Sequence, residues 1–368
     1  MAIEQGTTNS AMEAFYKDIQ AKGIDALWRT GGGGAGTEES VRAPYAPYQW
    51  RWRDIEPFIK QAGELVQPSN EDQRRALTLN NPALNPRPAA THTISGAVQL
   101  VLPGEIAPSH RHTMAAIRFI MHGNGGVTFV NGEGCTMNPG DLILTPGWTW
   151  HGHVNTTGGP MIWMDSLDVP LVTMLRQGLY EDYPDELYPA TKPVDDSLHR
   201  FGAGHMRPVW AKQEGPISPL LTFPWTQTER ALHDLARIDS SPFDDVAFEY
   251  TNPMTGGHVL PTLGCWIQMI RPGIHTQAHR HSNVHLYHAF KGRGATVVDG
   301  QQIDWEEGDF FSIPPYAWHE HRNTSTEDEA VLFSTNDIPA LEALNLYREY
   351  PYTEHNGHQP VTGPYTAP

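Results

Sequence analysis

Two stretches decide the fold of this chain: HRHTMAAIRFIMHGNGGVTFVNGEG at 110–134 and HRHSNVHLYHAFKGRGATVVDG at 279–300. In an extended strand side chains alternate faces, so His110 and His112 point one way and Arg111 the other. His279, Arg280 and His281 repeat that arrangement at an offset of 169. The same offset matches Gln99 with Gln268, Pro103 with Pro272, Gly104 with Gly273 and Gly123 with Gly292. One residue is then lost in a hairpin. At an offset of 168, Gly140-Asp141 matches Gly308-Asp309, Pro146 matches Pro314, Trp150-His151 matches Trp318-His319, His153 matches His321 and Asn155 matches Asn323. So many identities in order mark a tandem duplication.

Working outward, each copy consists of short β-rich runs closed by Gly or Pro. The first has AVQLVLPG, AIRFIMHGNG, VTFVNGEG and GDLILTPG; the second has CWIQMIRPG, HLYHAFKGRG, ATVVDG and GDFFSIPP. Regular strand spacing with turn signals predicts a mainly β sandwich or barrel. A helical preface is expected over 1–90, with one helix capped by Asn9 or Ser10 and a second from Asp54 to Val66. Gly31-Gly32-Gly33-Gly34-Ala35-Gly36 reads as a linker, because no Lys-Ser/Thr follows to make it a phosphate cradle. The expected boundaries are 1–90, a first repeat 91–168, an inter-repeat linker region 169–255, a second repeat 256–337, and a helix and tail 338–368. The C-terminal helix is expected from Ile338 to Tyr350, with Pro339 in its first turn.

Composition narrows the function. Lys plus Arg number 25 against 42 Asp plus Glu, a formal net charge of −17. That argues against nucleic acid and anionic membrane surfaces as partners. Cys135 and Cys265 are too few for a disulfide framework or a thiolate metal site, and in strand-like runs they read as buried apolar residues. The 19 histidines are instead a large imidazole supply. His122, His199, His205, His233, His355 and His358 have no role in this reading. The N-terminus lacks signal-peptide character and no apolar run approaches a membrane span, so a cytoplasmic protein is expected.

His110 and His112, one pleat apart, can pinch a single ion, and His151 after the turn Thr145-Pro146-Gly147-Trp148 can close it from a neighbouring strand. Alone, such spacing describes surface histidines as well. The full series decides otherwise: Gly104, His110, His112 and Gly123, then Gly140, Pro146, His151 and Asn155 resemble the two signature motifs of the cupin superfamily. Gly273, His279, His281, Gly292, Gly308, Pro314, His319 and Asn323 fit again. The resemblance implies a bicupin, two double-stranded β-helix (jelly-roll) barrels, each able to hold a divalent metal. Many cupins add a glutamate separated from the second histidine by three or four residues. Here those positions are Ala116 and Ile117, then His285 and Leu286, which argues against a manganese oxalate-degrading enzyme. Three neutral imidazoles leave a divalent ion its full charge and open positions, suited to an anionic chelating ligand and O₂.

In more detail, HRHTMAAIRFIMHGNGGVTFVNGEG, GDLILTPGWTWHGH at 140–153 and QRRALTLNNPAL at 73–84 resemble the gentisate 1,2-dioxygenase family, whose relatives act on salicylates and 1-hydroxy-2-naphthoate. The resemblance implies an Fe(II)-dependent, ring-cleaving enzyme, usually a homotetramer, with one iron in the N-terminal cupin. It would open gentisate between the carboxyl- and hydroxyl-bearing carbons to give maleylpyruvate. Carried over, His110, His112 and His151 match the iron ligands, and Arg118 and Arg74 match arginines that clamp the carboxylate of a small aromatic substrate. Gln99 lines the pocket, with Ala97 and Ser95 on the same strand face. His153 matches the histidine that takes the phenolic proton, with Asp165 as its orienting partner. Independently, strand parity puts Arg118 on the metal-facing side within an apolar run, where a cation is costly unless an anion joins it.

The second repeat departs from the family description. His279, His281 and His319 survive, so either this repeat also binds a divalent metal or its histidines stack in a polar core. Tyr287 stands where the first repeat has Arg118. Two rival classes are a non-catalytic binding bicupin and a zinc cupin with isomerase or hydrolase chemistry.

Overall fold

The structure, a computed structural model, describes residues 2–29, 41, 45–66, 74–212 and 215–367. The glycine run at 31–36 lies outside them. Two compact units are present, 1–43 and 44–368. In the first, a helix spans Ala2–Gln20, running through Asn9 and Ser10 instead of starting there, since no proline interrupts it. It ends before Gly23, and Trp28 then stacks on Phe15 and donates from Nε1 to the Tyr16 hydroxyl at 3.0 Å.

The second unit holds two barrels, each made of two facing sheets that are antiparallel except where the edge strand Gly363–Pro364 runs parallel to Gln301–Glu306. The first repeat supplies a six-stranded sheet in the order Thr222–Phe223, Leu142–Thr145, Ala116–His122, Met161–Leu167, Ser95–Val101, Arg75–Leu79. Opposite it lies a five-stranded sheet ordered Tyr180–Asp182, Ile106–His112, His151–Val154, Gly126–Val130, Glu133–Met137. The second repeat builds the same pair, with Gly264–Ile270, His285–Lys291, Phe310–Ile313 and Ala330–Asn336 in one sheet and His279–His281, Arg293–Val298, Gln301–Glu306 and His319–Asn323 in the other. Valine, isoleucine and phenylalanine on alternate positions pack the two repeats together. Phe119 stacks on Phe333 at 4.2 Å, and the Thr335 hydroxyl donates to Ser166 Oγ at 3.0 Å.

Three expectations need correction. The preface is not wholly helical: after the helix Trp52–Leu65, Arg75–Leu79 joins the first barrel, and Tyr48–Trp50 pairs with Phe310–Ile313 of the second. Nor is 169–255 merely a linker. Tyr180–Asp182 and Thr222–Phe223 extend the first barrel, Val246–Glu249 extends the second, and Trp225–Leu235 is an unanticipated helix. Edge strands of two or three residues carry too few alternations to register as a pattern. The C-terminal helix stops at Ala343, where Asn345 turns left-handed, and Glu349–Pro351 pairs with His279–His281. Among the described residues no helix is long and apolar enough to cross a membrane.

Candidate metal centre

His110 and His112 lie on the strand Ile106–His112, and His151 opens the neighbouring strand opposite His110. The turn before His151 is fixed by its backbone. Trp148 takes a left-handed φ of 62° and donates its N–H to the His112 carbonyl at 2.6 Å. Gly147 is required there, because a Cβ would stand 2.4 Å from the Thr113 carbonyl oxygen. The three imidazoles are buried, and one nitrogen of each falls within 4.8 Å of the others.

Each ring is set by its own backbone. Nδ1 of His110 meets the Pro108 carbonyl at 3.1 Å, Nδ1 of His112 that of Met114 at 2.8 Å, and Nδ1 of His151 that of Thr149 at 2.9 Å. A carbonyl only accepts, so Nδ1 carries the hydrogen and Nε2 keeps its lone pair. Burial holds all three rings neutral; for His110, burial and then Arg74 push the pKa down to about 2. Three convergent neutral nitrogens fit a divalent first-row metal such as iron.

Around them the first barrel is polar. Arg118, fully buried, reaches Asp165 Oδ1 at 2.9 Å and the Thr128 and Thr145 hydroxyls at 3.4 Å, over the Trp163 ring. Trp163 Nε1 donates to Asp165 Oδ2 at 2.9 Å. Burial lowers the Arg118 pKa and Asp165 opposes that shift. Two expectations change here. Asp165 is not the partner of His153, whose Nδ1 lies 3.0 Å from Thr128 Oγ. Arg118 is not left for substrate alone, because strand register sets Asp165 directly across from it and a buried charge demands a near counter-charge. Among the described residues its Nε has no hydrogen-bond partner, nor do the buried His153 Nε2 and Gln99 Nε2.

Arg74 lies against His110 and contacts both ring nitrogens. Burial pushes its pKa down to about 10. Arg75, next in sequence, points away and pairs with Glu105. Ala97 is half-buried opposite Asp165 and Thr78, and Ser95 lies two residues before it on the same strand. Trp148 and Trp150 sandwich Arg111, both at 4.4 Å, on the outward face of the strand. Cys135 and Cys265 are buried and free. Sequence reasoning missed Thr128 and Tyr180. Thr128 was legible as an identity with Thr296, which holds His321 Nδ1 in the same way at 2.8 Å. Tyr180, stacked on His110 at 5.2 Å, comes from an edge strand with no repeat identity to reveal it.

In the second barrel, nitrogens of His279, His281 and His319 also converge within 4.8 Å. His285 adds a fourth ring, 4.7 Å from His281, with neither nitrogen hydrogen-bonded among the described residues. The Arg–Asp pair of the first interior has no counterpart here, and the nearby charge is the Asp244 carboxylate, which acts on His319 and Tyr287. Tyr287 and Ser334 stand across from one another in place of Arg118 and Asp165, and Ile313 replaces Thr145. The ring against His279 is Phe243, at 5.4 Å, where the first barrel has Arg74 on His110.

The Cupin domain family matches this chain twice, at residues 97–169 and 266–336. A 5-aminosalicylate 1,2-dioxygenase of Comamonas sp. is 37% identical, over 97% of this chain and 94% of its own. A gentisate 1,2-dioxygenase of Aquipseudomonas alcaligenes is 34% identical, over 94% and 98%. Among solved structures, a variant of salicylate 1,2-dioxygenase from Pseudoaminobacter salicylatoxidans in complex with gentisate superposes with a TM-score of 0.85 at 32% identity. It covers 92% of this chain and 94% of that one.

Proposed function

The chain belongs to the bicupin family of ring-cleaving gentisate and salicylate 1,2-dioxygenases, oxidoreductases that incorporate molecular oxygen, and on that premise we propose gentisate (2,5-dihydroxybenzoate) as its substrate. The product is maleylpyruvate. One observation carries the assignment to the first barrel: three neutral imidazoles stand beside two arginines there, and the second triad has neither arginine.

His110, His112 and His151 would hold one Fe(II) through Nε2. When bound, the iron supplies Lewis acidity toward the phenol and the redox chemistry that lets O₂ react. The protein groups do the rest. Arg74, which lies against His110, presents its guanidinium to the substrate carboxylate as a bidentate clamp. Arg118, held by Asp165, adds a fixed positive field through its free Nε–H. His153 accepts the phenolic proton at Nε2 while Thr128 holds Nδ1, and Asp165 acts as the positioning residue of Arg118. Gln99 Nε2 donates to a substrate oxygen. Ala97 and Ser95 leave room beside the ring, and their size sets which 5-substituent fits.

The 5-aminosalicylate-cleaving relative favours a second reading on the same chemistry, since an amino group at that position also donates electrons into the ring. Oxygen uptake by Fe(II)-loaded protein over a panel of 5-substituted salicylates and 1-hydroxy-2-naphthoate separates the two. Highest kcat/KM on gentisate is the expected result; a higher value on 5-aminosalicylate replaces it. The catalytic assignment of 91–168, a metal at His279, His281 and His319 without turnover, and a homotetramer belong to the same proposal. Light scattering after size exclusion tests the last.

A further inference from the structure

We propose that His275, Glu320 and His358 form a separate divalent-cation site, of the zinc class, on the outer wall of the second barrel, and that the ion clasps the C-terminal tail to it. Glu320 lies between His319 and His321, so strand alternation turns it away from the barrel interior. It is 1% exposed, and the tail covers it: Gln359 N–H approaches Oε1 at 3.3 Å, and the Gly357 carbonyl accepts from Ala278 N–H at 2.7 Å. Among the described residues no lysine or arginine pairs with this carboxylate. Its side-chain partners are His275 Nε2 at 3.4 Å and His358 Nδ1 at 3.2 Å, with ring centroids 4.4 Å apart.

Those separations are informative. A charge-assisted N–H···O⁻ bond closes to about 2.7–2.9 Å. Donor atoms about 2.0–2.1 Å from one tetrahedral zinc are instead about 3.4 Å from each other. All three ligand atoms fall within 4.8 Å of one another, and both rings are about one-third exposed, which gives an ion a way in. Two imidazoles and one carboxylate are a donor set that zinc, cobalt or nickel accepts, with water in the fourth position.

In the first barrel, strand register places Ile106 and Gly152 at the positions of His275 and Glu320, and the equivalent backbone hydrogen bonds Ser109 N–H to Glu186 and Ala278 N–H to Gly357 place Leu187 at that of His358. Gly152 there has no space for a side chain, since a Cβ would stand 2.7 Å from Ser109 Oγ and 3.2 Å from Leu187. On a shared backbone, the second repeat therefore has three metal-binding side chains where the first has none. They come from three separate segments.

The test is zinc stoichiometry on the full-length, Fe(II)-loaded protein after equilibrium dialysis against Zn²⁺ alone, read by elemental analysis, with limited proteolysis of the tail as second readout. His275→Gln and His358→Gln change partly exposed residues, and each is expected to bind one equivalent fewer zinc than wild type. A His279→Ala/His319→Ala variant should retain that equivalent. Zinc should slow tail cleavage at least tenfold in wild type and not in the two glutamine variants. Equal zinc content in wild type, His275→Gln and His358→Gln would overturn the proposal. So would tail protection indifferent to zinc.

Discussion

At the scale of single residues, the first barrel separates two arginines by how each is held. Arg118 is fixed: buried, paired with Asp165 at 2.9 Å and set over Trp163. Asp165→Asn leaves that guanidinium without its counter-charge, and breaking a buried pair from one side costs about 3–5 kcal/mol. Thermal unfolding should show that loss, and an Arg118→Met/Asp165→Leu double variant should recover part of it while remaining inactive. Arg74 lies against His110 and is the side chain proposed to clamp the substrate carboxylate. Arg74→Ala should raise KM for a 2-hydroxybenzoate about 10–100-fold, with a smaller change in kcat, because a charged hydrogen bond to a carboxylate is worth about 1.5–3 kcal/mol. Steady-state oxygen uptake gives the split. Equal losses in kcat and kcat/KM would place Arg74 in the chemistry instead of in binding.

At the scale of elements, the strand Val246–Glu249 and the helix Ile338–Ala343 are joined by one histidine. His258 Nδ1 pairs with Glu249 and Nε2 with Glu342 at 2.9 Å, and these carboxylates raise its pKa from the usual 6.5 to about 9. The folded state thus holds the proton more tightly than the unfolded chain. Its stabilisation is full below pH 6.5 and disappears as pH rises through 9. Glu342 is half exposed, so solvent screening reduces the effect to about 1–2 kcal/mol. Denaturant titration should show wild type weakening across that window and His258→Gln lacking this component. Turn geometry offers a second element-scale test. Gly147→Ala would force the Thr113 carbonyl aside and shift His151, so iron affinity should fall at least tenfold by competition with a chelator.

At the scale of the whole molecule, the duplication made the two barrels legible because the turns carry glycines and the strands carry histidines at fixed spacing. Both triads and His153 could be read for the same reason, and the inward face of Arg118 from strand parity. What escaped lies in short edge segments. Tyr48–Trp50, Tyr180–Asp182 and Glu349–Pro351 are strands only because a barrel edge receives them. The partners of Arg118 and Asp165 escaped differently: parity gives the face of a side chain, but cross-strand register decides whom it meets. Divergence inside equal barrels is the molecule's main functional statement. Where the first barrel has the interior pair Arg118–Asp165, the second has Tyr287–Ser334.

The most direct test of that assignment is simultaneous oxygen uptake and ring-opened product formation from gentisate, with three Fe(II)-loaded proteins: wild type, His110→Ala and His319→Ala. Wild type should consume one O₂ per ring opened, His110→Ala should lose both signals, and His319→Ala should keep most of them. Turnover surviving in His110→Ala, or lost only in His319→Ala, would contradict a catalytic centre in the first barrel.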